Sequence, residues 1–148
     1  MTTLFAFLHH AAAFTLVAAV AVEFVLVRLE LTNATARRLI AADAVLGASA
    51  SILLVVGLAR VYFFEKGSAY YWSNHAFLTK FSLFVIVGLL SIVPTREFLS
   101  WRKTVRAGAV PTVSADKVRS VARIIHIELA AIVIILLCAA MMARGGFV

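Results

Sequence analysis

The sequence predicts an all-α integral membrane protein, a four-helix bundle in up-down-up-down order. Three observations predict it. Hydrophobic residues make up 64% of the chain, against roughly 45–50% in soluble domains. Charged residues make up 14%, against about 25% in soluble domains. The apolar residues gather in four long runs separated by short polar stretches. A soluble fold of 148 residues has too much surface for its volume to hide this excess. A mean hydropathy of +1.03 makes lipid the solvent that fits the chain.

The runs cover about 4–27, 38–64, 76–98 and 117–142 of one transmembrane domain, 1–148. Each has at least the roughly 20 residues needed to cross the hydrocarbon core. The first run lacks the basic start of a signal peptide and continues past its Ala-Val-Ala at 19–21, so it reads as a retained helix. The first loop, 28–37, carries Arg28, Glu30 and Arg37, with Arg38 just beyond. In the second, 65–75, Gly67 and Ser73-Asn74 are turn signals. Tyr70, Tyr71 and Trp72 read as an aromatic belt at headgroup level. The third loop holds Arg102, Lys103, Arg106, Gly108 and Pro111, and Ser114 reads as the N-cap of the last helix.

Most Lys and Arg lie in loops one and three, which the positive-inside bias places in the cytoplasm. The N-terminus, loop two and the C-terminus then face outward across a bacterial inner (cytoplasmic) membrane. Short loops make consecutive helices antiparallel neighbours. The net charge of +7 sets topology and meets anionic lipid. No nucleic-acid motif accompanies it, so no nucleic-acid partner is expected. The single cysteine, Cys138, excludes an intrachain disulfide and reads as a packing residue.

Small residues mark the expected seams: Ala11 to Ala13, Ala18 and Ala19 in the first helix, Gly47 to Ser51 and Gly57 in the second. Pro94 should kink the third helix and free a backbone carbonyl.

Ionisable residues at membrane depth are costly and are functional candidates by default. An outer layer holds His9, His10, Arg60 and Lys80, with Tyr62, Glu65 and His75 at the adjoining surface. An inner layer holds Glu23, Asp43, Arg119, Arg123 and His126. Spacings of four and three put Arg119, Arg123 and His126 on one stripe. Asp43 shares a face with Gly47, Ala50 and Leu54 and should point inward. Lys80, Phe84, Val87 and Ser91 form one face of the third helix, and His9 and Glu23 share a face of the first. Glu128 points away from the His126 stripe and is expected on a separate face, available to a second protomer. Plain alternatives exist for each group: Arg60 and Lys80 can snorkel to the interface, and Asp43 can form an ion pair with Arg119 or Arg123.

A neutral histidine can ligate haem iron, with Arg and Lys available to carboxylate groups of the porphyrin. His9, His10, Lys80 and Arg60 are therefore the candidate cofactor-binding set. No HExxH, CxxCH, Glu-x-x-His or Gly-rich phosphate loop is present, and no metal site is expected from side chains alone. Nothing points to nucleophilic catalysis.

Several stretches carry a resemblance: FLHHAAAF, ARRLIAADAVLGASA, GLARVYFFEKGSAYYWSNHAFLTKFSLF, SIVPTREFLSWRK and the closing MARG. Over nearly the whole chain the sequence resembles a family of small bacterial four-helix membrane proteins of uncharacterised function. Leu8-His9-His10 and Thr79-Lys80-Phe81 carry a more distant resemblance to the HemJ-type membrane protoporphyrinogen IX oxidase. That resemblance implies haem b on an N-terminal histidine and an essential lysine on a later helix. It leaves His9 and His10 as alternatives, and AAAFTLVAAVAVEF departs from that family's aromatic and glycine pattern. The expected function is a haem- or metal-binding redox protein of the membrane. The alternatives are a non-catalytic membrane partner or assembly factor, and a homodimeric proton-linked transporter component.

Overall fold

The computed structural model describes residues 2–64 and 68–144. Helix α1 covers Thr2–Leu26 and α2 covers Asn33–Ala59, which continues into a π-helical turn at Arg60–Phe64. A short α3, Ser68–Trp72, precedes α4, His75–Arg106, and α5, Ala115–Ala143. The described residues contain no strand. Among the described residues four helices are long and apolar enough to cross a membrane. Neighbours in the bundle follow the chain: α1 lies against α2, α2 against α4, α4 against α5, and α5 closes on α1. This is the all-α up-down-up-down bundle expected from the four apolar runs.

The helix ends differ from the expected spans because caps, not lipid, set them. Thr32 accepts a hydrogen bond from the Thr35 amide and starts α2 five residues before the apolar run. Arg37 and Arg38 are therefore helical. Asn74 caps α4 through the Phe77 amide at 3.0 Å, and α4 runs through Pro94 to Arg106. Arg102 and Lys103 thus stand on the last turns of a helix rather than in a loop. Gly108, with a φ of +78°, allows the turn that follows. Ser114 caps α5 as expected, accepting from the Lys117 amide. Asn33 Nδ2 donates to the Val105 and Ala109 carbonyls at 3.0 and 2.7 Å, which ties the start of α2 to the end of α4.

The core is a column of apolar side chains from all four long helices. Val20, Leu39, Phe98 and Ile125 are its largest fully buried members, each at most 1% exposed. Phe98 meets Trp101 edge-on, with ring centroids 5.0 Å apart. A second cluster at the opposite end joins Val61, Tyr71 and Phe77. Tyr71 is therefore buried, not part of a headgroup belt, while Trp72 remains partly exposed and packs on Phe77 and Phe81. Gly47 has no neighbour near its absent side chain; the buried face of α2 runs instead through Leu39, Ala42, Asp43, Leu46, Ser49 and Val56. Glu65, Gly67 and the Gly145 of the closing MARG lie outside the described residues.

A terminal-end cavity and a buried carboxyl layer

The bundle has two ends. The terminal end holds the start of α1 and the end of α5; the basic end holds the α1–α2 and α4–α5 connections. At the terminal end a cavity of about 280 Å³ is bounded by α1, α2, α4 and α5, with Tyr71 of α3 at its edge. His9, His10, Arg60 and Lys80 all line it. Most of the remaining wall is apolar, formed by residues such as Leu53, Leu58, Phe81, Phe84 and Ile135. Exposed His10, Leu54 and Leu136 also belong to the lining, so the cavity opens at the bundle surface.

Local structure sets each polar group. Adjacent positions on α1 turn the two histidines apart: their rings are 6.1 Å apart and nearly perpendicular. His9 is half-buried and lies against Gly57 of α2, where a Cβ would come within 3.4 Å of His9 Cε1. His10 Nδ1 lies 2.6 Å from the Ala6 carbonyl oxygen. A carbonyl can only accept, so Nδ1 carries a proton, and in the neutral ring Nε2 keeps its lone pair. Such a backbone contact is the usual way a ligating imidazole is oriented. Arg60 opens the π-helical turn, a local irregularity common at functional sites. Lys80 Nζ stands 5.4 Å from the centre of the Phe77 ring. His75 and Tyr62 are exposed beside this region and do not line the cavity.

Toward the basic end lies a second polar set. Glu23 and Glu128 are 0% exposed and Asp43 is 6% exposed. Thr95 Oγ1 donates to Asp43 Oδ1 at 2.6 Å, and Ser91 Oγ lies 2.8 Å from Glu128 Oε1. The three carboxyl groups come from α1, α2 and α5, and the two hydroxyls from α4. Between the cavity and this layer is an apolar hollow of about 190 Å³ along α2 and α4. It shares Leu54 and Phe84 with the cavity above and reaches Leu46 and Val87 below.

Two expectations about this layer change. Arg119, Arg123 and His126 do share one stripe, but that stripe is exposed and does not join Glu23 and Asp43. Arg119 pairs with Asp116 at the start of α5, and His126 lies against the Phe24 ring at 5.6 Å. Long cationic side chains near a helix end reach the interface more easily than a core. Glu128 is the charged-type residue of α5 that points inward. At 0% exposure it faces the bundle interior instead of the separate outer face expected for it. The spacing of three and four located a stripe but not which way it turned. Val121, Ile125, Glu128 and Ile132 form the buried stripe, and their own spacing of four, three and four was the signal for Glu128. Ser91 and Thr95 left no such signal, because a hydroxyl in a lipid-crossing helix can bond its own backbone.

Among the described residues no group of three or more His, Cys, Asp and Glu is arranged to hold a metal ion. No curated protein and no solved structure matches the chain. The match that exists is to a family, and it extends over residues 1–146. It agrees with the four helices, among the described residues, that are long and apolar enough to cross a membrane. The chain belongs to the family described as "Predicted membrane protein (DUF2214)".

Proposed function

We propose that this protein binds an apolar, acid-bearing ligand in the terminal-end cavity, and that the ligand is a haem b used for redox chemistry in the membrane. The observation that supports this reading is the convergence of His9, His10, Arg60 and Lys80, from three helices, on one apolar cavity. The donor set suits a porphyrin better than a bare metal ion. One imidazole with an available Nε2 suffices for haem, whereas a bare ion needs several converging ligands. At about 280 Å³ the cavity lies just below the usual size of ligand sites, which run roughly 300–1,000 Å³. Part of the ligand therefore extends through the open side.

His10 is the ligand of choice, because the Ala6 carbonyl orients its ring. His9 is held against Gly57 and shapes the adjoining wall. Arg60 and Lys80 offer charge-assisted hydrogen bonds to carboxylates. Phe81, Phe84 and Leu58 exclude water from the apolar part. Haem bound there supplies one-electron transfer. With the basic end of the bundle on the cytoplasmic side of a bacterial inner membrane, both termini would face outward and the cavity would lie in the outer leaflet.

The test is an optical spectrum of detergent-purified protein, oxidised and then reduced with dithionite, after expression with added haem precursor. A Soret band that shifts on reduction and is lost in His10→Ala supports the reading. A featureless spectrum refutes haem and leaves a non-catalytic membrane partner as the function to pursue.

A further inference from the structure

Glu23, Asp43 and Glu128 are all buried in the interior, and none of them is paired with a cation among the described residues. Neither oxygen of Glu23, and not Oε2 of Glu128, has a hydrogen-bond partner among the described residues. Glu23 is within electrostatic range of both other carboxyl groups. The charged groups on every surrounding helix lie elsewhere. Just past the end of α1, Arg28 is exposed and lies over the Phe24 ring. Arg37 and Arg38 of α2 are exposed. On α4, Arg96 is exposed and Glu97 pairs with Lys117 at 2.9 Å. Arg123 and His126 of α5 are exposed.

Three ionised carboxylates in a low-dielectric interior, unpaired and partly without donors, would be very costly. A metal ion would offset that cost, but the groups do not converge as metal ligands. A proton offsets it too, and turns an acceptor into a donor. The hydroxyl of Ser91 agrees with this. Its oxygen is 2.9 Å from the Val87 carbonyl and 2.8 Å from Glu128 Oε1, yet it carries one hydrogen. If that hydrogen goes to Val87, Ser91 can accept from a Glu128 O–H. Pro94 adds a further acceptor on α4, because it cannot donate to the Leu90 carbonyl one turn earlier.

We propose that Glu23, Asp43 and Glu128 form a buried, exchangeable proton-binding site within a single chain, with Ser91 and Thr95 as its hydroxyl partners. The site stands whether or not the terminal-end cavity holds haem. It gives the bundle a proton-handling layer separate from its ligand cavity. Asp43 is the one carboxyl of the three with any accessible surface and is where exchange begins.

The experiment is infrared difference spectroscopy of the full chain in lipid nanodiscs, titrated from neutral to alkaline pH in water and in heavy water. The chain has seven Asp and Glu in all, so carboxyl bands can be assigned one variant at a time. The expected result is a carboxylic acid C=O band at neutral pH. It shifts in heavy water, is lost reversibly at alkaline pH, and loses a component in Glu23→Gln and another in Glu128→Gln. If those variants do not fold, the wild-type titration still decides. Absence of the band at neutral pH overturns the proposal. A band that neither exchanges with heavy water nor responds to pH overturns it as well. Loss of the band on adding sodium or potassium at constant pH would show a metal-cation site and also overturn it.

Discussion

Replacing Glu23 with leucine should make the protein more stable. Glu23 is 0% exposed, and both its carboxyl oxygens lack hydrogen-bond partners among the described residues. Each unsatisfied buried polar atom costs about 1–3 kcal/mol. Two such atoms would suggest about 2–6 kcal/mol, but an unfolded chain still in the membrane also has difficulty satisfying them. The expected gain therefore lies in the lower part of that range, about 1–3 kcal/mol. Leucine also packs against Val20 and Val27 on the same face of α1. Glutamine is the control: it keeps two polar atoms in the same place and should bring no gain. The assay is reversible unfolding in bicelles by added SDS, followed by the fluorescence of Trp101, which is buried at the basic end. A leucine variant less stable than wild type would refute the reasoning, because it would mean that Glu23 has favourable partners. Stabilisation accompanied by loss of cellular activity would mark a residue kept for function at the expense of stability.

Other expectations concern packing and the cavity. Phe98→Ala should cost about 3–5 kcal/mol, since Phe98 is fully buried and meets Trp101 edge-on; the same SDS titration measures it. Gly57→Ala should be tolerated, because its Cβ only touches His9 at 3.4 Å. Gly57→Val adds bulk beyond that contact and should displace His9, so ligand affinity falls with little change in fold; titration of the purified variant with haem distinguishes the two. Asn33→Ala removes two hydrogen bonds to the end of α4 and should cost about 1–3 kcal/mol, with faster proteolysis of the α4–α5 connection. Glu97→Gln breaks a pair whose lysine side chain is 61% exposed. It should cost no more than about 1 kcal/mol, less at high salt, by thermal unfolding at two ionic strengths.

Composition and apolar runs alone determined the fold class. A chain this rich in hydrophobic residues must satisfy its backbone within helices if it is to sit in lipid, and four runs separated by short loops leave antiparallel neighbours. The caps at Thr32, Asn74 and Ser114 show why the ends were less legible: a capping side chain starts a helix in the headgroup region or beyond, where hydropathy has already fallen. Sequence depth also grouped His9, His10, Arg60 and Lys80, because rise per residue is constant and all lie near helix ends that share one face of the membrane.

Only the tertiary structure decided which stripe of α5 faces the core. Helical spacing sets relative phase, yet a helix with apolar residues all round can turn either way. Packing against α1, α2 and α4 settled the rotation, sending Arg119, Arg123 and His126 outward and Glu128 in beside Glu23 and Asp43. The same packing brought Ser91 and Thr95 to the carboxyl groups and turned Tyr71 inward. Periodicity within one helix holds no information about the neighbour that a side chain will meet, and it is those neighbours that make a buried carboxyl layer out of scattered acids.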